Sequence, residues 1–158
     1  MEIRFADIQD VSGILELLRQ VGQVHYEGRP DIFRSDAQKY GASQIIAMLN
    51  SSKTPIFVAV EEQKVLGYCF CKVKAYENEI VVNDHVELYI DDLCIDENCR
   101  GRGIGTALYH ETLRYAKMRG CYNVTLNVWS FNESALAFYK KCGRKPQRLF
   151  METILEEA

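Results

Sequence analysis

The sequence offers little that would send it to a membrane, a metal or a nucleic acid. No run approaches the roughly 18 apolar residues that a membrane span needs, and no membrane association is expected. The six cysteines (Cys69, Cys71, Cys94, Cys99, Cys121 and Cys142) form no C-x-x-C pair, and His25, His85 and His110 are scattered. That spacing argues against a zinc site, and no metal is expected. The N-terminal stretch MEIRFADIQD has no basic segment followed by an apolar one, so no signal peptide is visible. A cytoplasmic location with reduced cysteines is therefore expected. The chain lacks a basic excess: 19 Lys and Arg stand against 22 Asp and Glu, net charge -3, which gives no footprint for nucleic acid. The mild acidic excess is compatible with cationic substrates.

What is present suits one domain over residues 1–158, with 47% apolar residues to build a core. IRFAD reads as a short strand. Asp7 to Val21 carries Val11, Ile14, Leu15, Leu18 and Val21 at helical spacing. GQVHYEGRPDIFRSDA reads as a loop. Ser35 to Gln38 has the shape of a capping box for a second helix ending near Asn50. IFVAV and VLGYCFCKV form a hairpin across EEQK. HVELYIDDLCID is the next strand, YNVTLNVWS another, and NESALAFYKKCG a helix stopped by Gly143. Asn132 is a candidate cap, as is a Ser130–Glu133 box. RKPQRLFMETIL reads as a last strand. The order β-α-α-β-β-β-α-β-α-β defines a mixed α/β domain.

One strand slips its register. Val86, Leu88 and Ile90 keep period two, but Leu93 and Ile95 are out of phase by one, and the slip falls at Asp91-Asp92. An extra residue there is a β-bulge, a device that re-aims groups beside active sites and splays a strand from its neighbour. The alternative is a central strand buried on both faces, which two adjacent aspartates make less attractive.

After this strand comes CRGRGIGTAL. Glycines between Cys99 and Thr106 open a helix, whose first amides are unpaired and carry partial positive charge. That is a phosphate cradle. Arg100 and Arg102 add forked donors. The spacing fits neither G-x-x-x-x-G-K-[ST] nor G-x-G-x-x-G. Arg100, Gly103 and Gly105 do fit R-x-x-G-x-G, which resembles the acetyl-CoA motif of the GCN5-related N-acetyltransferase (GNAT) superfamily. YIDDLCIDENCRGRGIGTAL is similar to that family's fourth strand, pyrophosphate loop and helix. NVWSFNESALAFYKKCG is similar to its fifth strand and following helix. The acidic pair before R-G-x-G-I-G leans the resemblance toward diamine (spermidine/spermine-type) acetyltransferases.

The resemblance implies acetyl-CoA as acetyl donor and a small-molecule amine as acceptor, by direct attack in a ternary complex. A protein N-terminus or lysine is the alternative acceptor, and a binding module without turnover is a second alternative. It implies that the backbone of Leu93, Cys94 and Ile95 pairs with the pantetheine arm. It implies that the amides of Arg100, Gly101, Arg102, Gly103, Ile104, Gly105 and Thr106 hold the pyrophosphate. Asn132 is implied to touch the cofactor, and Tyr139 to protonate the departing thiolate. An ammonium must lose its proton before it attacks. Asp91 or Asp92 is the candidate base, Glu87 the fallback, and either aspartate could instead attract a cationic substrate. His25, Tyr26 and Phe33 lie where similar proteins shape the acceptor site. A homodimer is common among such proteins.

Overall fold

The computed structural model describes residues 1–155. They fall into two compact units, Met1–Asn127 and a second that begins at Val128. The first unit begins with β1 (Glu2–Phe5), a 3-10 turn (Ile8–Asp10), α1 (Val11–Gly28) and α2 (Ala42–Leu49). The hairpin β2 (Ile56–Glu61) and β3 (Lys64–Tyr76) follows, then β4 (His85–Ile95). A second 3-10 turn (Glu97–Cys99), α3 (Ile104–Met118) and β5 (Asn123–Leu126) complete it. The second unit contains α4 (Glu133–Lys141).

The sheet runs β1-β2-β3-β4-β5. Its first four strands are antiparallel and β5 is parallel to β4. A parallel neighbour needs a crossover. α3 is that crossover, so its N-terminus follows directly on the end of β4. Tyr68 and Phe70 pack with Ile14, Leu18 and Ile45 from α1 and α2. Cys69 points to the other face, where Thr112 of α3 donates to its sulfur at 3.4 Å. The sheet is thus covered on both sides, as the apolar runs of β2 and β3 require.

The mixed α/β class and the element order are as expected up to α4, with three local corrections. α1 does not stop at Val21 but runs to Gly28, so His25 and Tyr26 are helical. A Cβ on Gly22 would lie 2.1 Å from the Ala37 carbonyl oxygen. Glycine there lets the helix continue under the 29–41 segment. α2 is not started by Ser35. Gln44 accepts instead from the Gly41 amide at 2.9 Å, so the helix starts six residues later. RKPQRLFMETIL forms no strand through Leu155. A strand exists only by pairing, and Leu149 and Phe150 in this run are 80% and 100% exposed. Asn132 is the α4 cap, accepting from the Ala135 amide at 3.2 Å, and Gly143 takes the left-handed conformation after the helix. No helix among the described residues is long and apolar enough to cross a membrane.

Candidate active site

The slip in β4 is a bulge. Cys71 of β3 faces Ile90, Phe70 faces Asp92, and Asp91 between them has no register partner. The extra residue has a geometric consequence. Leu88 and Ile90 lie on one face, and Leu93 and Ile95 return to it after the bulge. Ile95 reaches α3 there: a Cβ built on Gly67 would meet both Ile95 Cδ1 and Leu108 Cδ1. Asp91 and Asp92 therefore share the opposite face. Their partners confirm this, since Tyr68 and Lys72 stand on one side of β3, four residues apart. Tyr68 Oη donates to Asp92 Oδ2 at 2.8 Å, and Lys72 Nζ to Asp91 Oδ1 at 2.9 Å. Pairing of β4 with β5 ends at Ile90 and Leu126, so the strand is splayed from Asp91 onward.

The two carboxylates have different surroundings. Asp91 is 6% exposed and held by three donors. Tyr40 Oη lies at 2.5 Å, Lys72 Nζ at 2.9 Å and Lys39 Nζ at 2.9 Å; Lys39 also donates to the Asp91 carbonyl at 2.8 Å. Burial by itself would raise its pKa, but the hydrogen bonds from Tyr40, Lys39 and Lys72 win and lower it. Among the described residues, Asp92 has only the Tyr68 hydroxyl as side-chain donor. Burial raises its pKa from 3.8 to about 6, against the pull of Tyr68 and Lys39. Two adjacent carboxylates are thereby split into a fixed anion and a group poised near neutrality. Glu87, on the same face, is paired with Lys74 at 3.7 Å. Burial pushes the Cys94 thiol up to about 12, so it is a small hydrophobe and not a thiolate nucleophile.

The turn after β4 is built to present amides. Asp96 caps it, accepting from the Asn98 amide at 3.0 Å and pairing with Lys64 at 3.1 Å. Gly101 and Gly103 both sit at φ 79°, a left-handed conformation that side chains resist. A Cβ on either would meet nothing within 4 Å. The first main-chain bond of the helix runs from the Ala107 amide to the Gly103 carbonyl at 3.0 Å. Among the described residues, the amides of 101–106 have no such acceptor. No acidic residue occupies the first turn of α3. These donors and this open space fit a diphosphate, and the splayed edge of β4 at 93–95 fits an extended pantetheine. The Arg102 side chain is engaged elsewhere: its Nη2 donates to both Glu61 carboxylate oxygens, at 2.8 and 3.1 Å.

The remaining expected residues divide. His25 and Phe33 stack with ring centroids 5.0 Å apart. Burial first, and Lys39 second, lower the His25 pKa. Tyr26, next to His25 on α1, is half-buried. In the second unit, half-buried Tyr139 packs against Phe138 at 5.0 Å, and its carbonyl accepts from the Arg144 amide at 2.9 Å. Sequence reasoning missed Lys39, Tyr40, Tyr68 and Lys72. Tyr68 and Lys72 were readable in principle, because the register of β3 against a bulged β4 brings them to the aspartates. No sequence signal joins Lys39 and Tyr40 to a residue some fifty positions away.

A five-stranded sheet with a bulged fourth strand and a glycine turn at the mouth of the crossover helix makes a mixed α/β fold whose exposed amides lie at the end of the splayed strand. Residues 20–143 match the Acetyltransferase (GNAT) family, and the chain belongs to it. That family uses acetyl-CoA as acetyl donor. The chain is 32% identical over 96 residues to an uncharacterised N-acetyltransferase of Methanocaldococcus jannaschii, covering 61% of this chain and 41% of that protein. It is 25% identical over 154 residues to the glucosamine 6-phosphate N-acetyltransferase of Arabidopsis thaliana, covering 95% and 93%. A crystal structure of a mutant Bacillus halodurans protein superposes with a TM-score of 0.94 at 32% identity, over 99% and 100% of the two chains. The chain spans 41%, 55% and 32% of the length of the first three curated relatives it matches.

Proposed function

We propose that the protein transfers acetyl from acetyl-CoA to a primary amine of a small molecule, by direct attack in a ternary complex. The observation that carries this is Asp92, a carboxylate with a pKa of about 6 at the bulge of β4, one strand end away from a loop of unpaired amides. Bound acetyl-CoA supplies an activated thioester carbonyl. The amides of 101–106 would hold its diphosphate and the main chain of Leu93, Cys94 and Ile95 would pair with its arm, where a main-chain amide would polarise the thioester. Asp92 accepts the ammonium proton, directly or through water. At pH 7 a group with pKa about 6 is mostly ionised and so able to do this. Asp91 is no free base, because two ammonium groups and a phenol already occupy it; it positions those donors. Asn132 and Tyr139 take the roles that the motif resemblance gives them, cofactor contact and proton return to the thiolate.

Small amines are favoured by relatives named for glucosamine 6-phosphate, mycothiol and phosphinothricin. A second reading, a protein N-terminus as acceptor, has support in 31% identity over 87 residues to an N-alpha-acetyltransferase of Schizosaccharomyces pombe. The reading extends to a cytoplasmic setting, in which the six free thiols stay reduced, and to a homodimer, which mass measurement in solution tests. Release of free thiol from acetyl-CoA with a panel of small amines and N-terminal peptides tests the activity. Turnover with small amines supports it. Turnover with peptides alone selects the second reading, and tight cofactor binding with no thiol from any acceptor selects a sensor.

A further inference from the structure

The charges on the Asp91 face are layered. Glu87, Asp91 and Lys72, Lys74 lie on the same side of β3 and β4, with Lys39 arriving from the segment before α2. The carboxylates are the sheltered layer, with Asp91 and Glu87 side chains 6% and 11% exposed. The ammonium groups are the outer layer: Lys39, Lys72 and Lys74 are 43%, 39% and 40% exposed. Neutralising Asp91 needs one lysine, and it has two. Each ammonium has three donors, and Lys39 uses two on Asp91, through Oδ2 and the carbonyl. Donors therefore remain for something outside the protein. From Lys72 onward the residues of β3 lose full burial, so this part of the face is open.

We infer that Lys39, Lys72 and Lys74 form an anion-recognising wall, and that the acceptor is a primary amine carrying a carboxylate or phosphate. This rests on the proposed amine acetylation. It reverses the diamine expectation, because with the reacting amine at Asp92 a second ammonium would meet three lysines whose own carboxylates, Asp91 and Glu87, are sheltered beneath them. It also gives a spacing. Asp92 stands opposite Phe70, and Lys72 is two residues further along the strand, about 7 Å at strand rise. An acceptor whose anion lies a few bonds from its amine reaches both.

Four acceptors of similar length test this: 1-aminobutane, 4-aminobutyrate, 3-aminopropyl phosphate and 1,4-diaminobutane. The carboxylate and phosphate arms separate the two sources of negative charge. With acetyl-CoA, kcat/KM is expected at least tenfold higher for one or both anionic amines than for 1-aminobutane, with the diamine lowest. Within Lys39→Gln and within Lys72→Gln, the ratio of anionic to neutral acceptor falls toward one, whatever the variant's overall rate. Lys72→Arg, which keeps the charge, keeps the preference. A diamine preferred over both anions, or a ratio unchanged in the Gln variants, overturns the inference. Calorimetry on protein saturated with coenzyme A gives a readout free of turnover. 3-Aminopropyl phosphate or 4-aminobutyrate should bind at least tenfold tighter than 1-aminobutane, with the difference lost in Lys39→Gln. Absence of that difference sinks the inference even if the protein turns over. Absence of thiol release with the difference present sinks the acetylation reading and leaves the anion wall standing.

Discussion

Asp91 and Asp92 are neighbours in the chain, share one face of the sheet, and have pKa values shifted in opposite directions. Asp91 is depressed by Tyr40, Lys39 and Lys72, and Asp92 is raised to about 6 by burial. A regular strand would send them to opposite faces. The bulge that leaves Asp91 without a partner is what brings them together.

Asp92→Asn should trade stability for lost rate. A carboxyl whose folded pKa is raised binds its proton more tightly folded than unfolded. Stability from this group is therefore highest below pH 4, falls as pH rises toward 6, and is level above. At pH 7.5 the ionised group costs about 1–3 kcal/mol, which asparagine removes. Urea unfolding at pH 4 and 7.5 should show a gain only at the higher pH. The same variant should lower kcat about 100-fold or more and abolish the rise of kcat through pH 6. A variant with full rate removes Asp92 from the role of base.

Asp91→Asn should do the reverse. Its pKa is depressed, so its stabilisation is present above about pH 4 and is lost as pH falls through the folded pKa. Two half-exposed lysines would lose their anion, at a cost of about 1–3 kcal/mol at pH 7. The acceptor KM should rise more than kcat falls. Steady-state kinetics with an equilibrium unfolding series checks both.

Gly103→Ala separates backbone strain from cofactor clash. No neighbour opposes the added Cβ within the protein, so only the left-handed conformation is penalised, by about 1–2 kcal/mol. Coenzyme A, whose diphosphate would approach that open space, should bind at least tenfold more weakly by calorimetry. Gly103→Asp adds like charge and should abolish binding. Equal affinity in both variants contradicts the cradle.

Tyr139→Phe should lower kcat by about 10- to 100-fold while cofactor affinity holds. The rate with an acyl donor whose thiol is a better leaving group should be less affected. An equal loss with both donors points to packing against Phe138.

Much of this was legible in the sequence because the signals were local. The phase slip across Asp91-Asp92 announced a bulge, and the glycine spacing after Cys99 announced a turn of exposed amides. The long α1 was not legible past Val21, because Gly22 looks like a helix stop until Ala37 is seen against it. The missing final strand follows the same logic in reverse. Leu149 to Leu155 have strand-like residues, but pairing is a property of a neighbour. The split between Asp91 and Asp92 was out of reach for a related reason. It is set with Lys72 by Lys39 and Tyr40, which lie ahead of α2 in a stretch the sequence assigns to the helix itself.

The most direct test is an amide-resolved NMR titration with coenzyme A. The account predicts that the largest shifts fall on the amides of residues 101–106 and on the splayed end of β4, Asp91 to Ile95. Saturable binding that leaves those amides unmoved, with the main changes elsewhere, would contradict it.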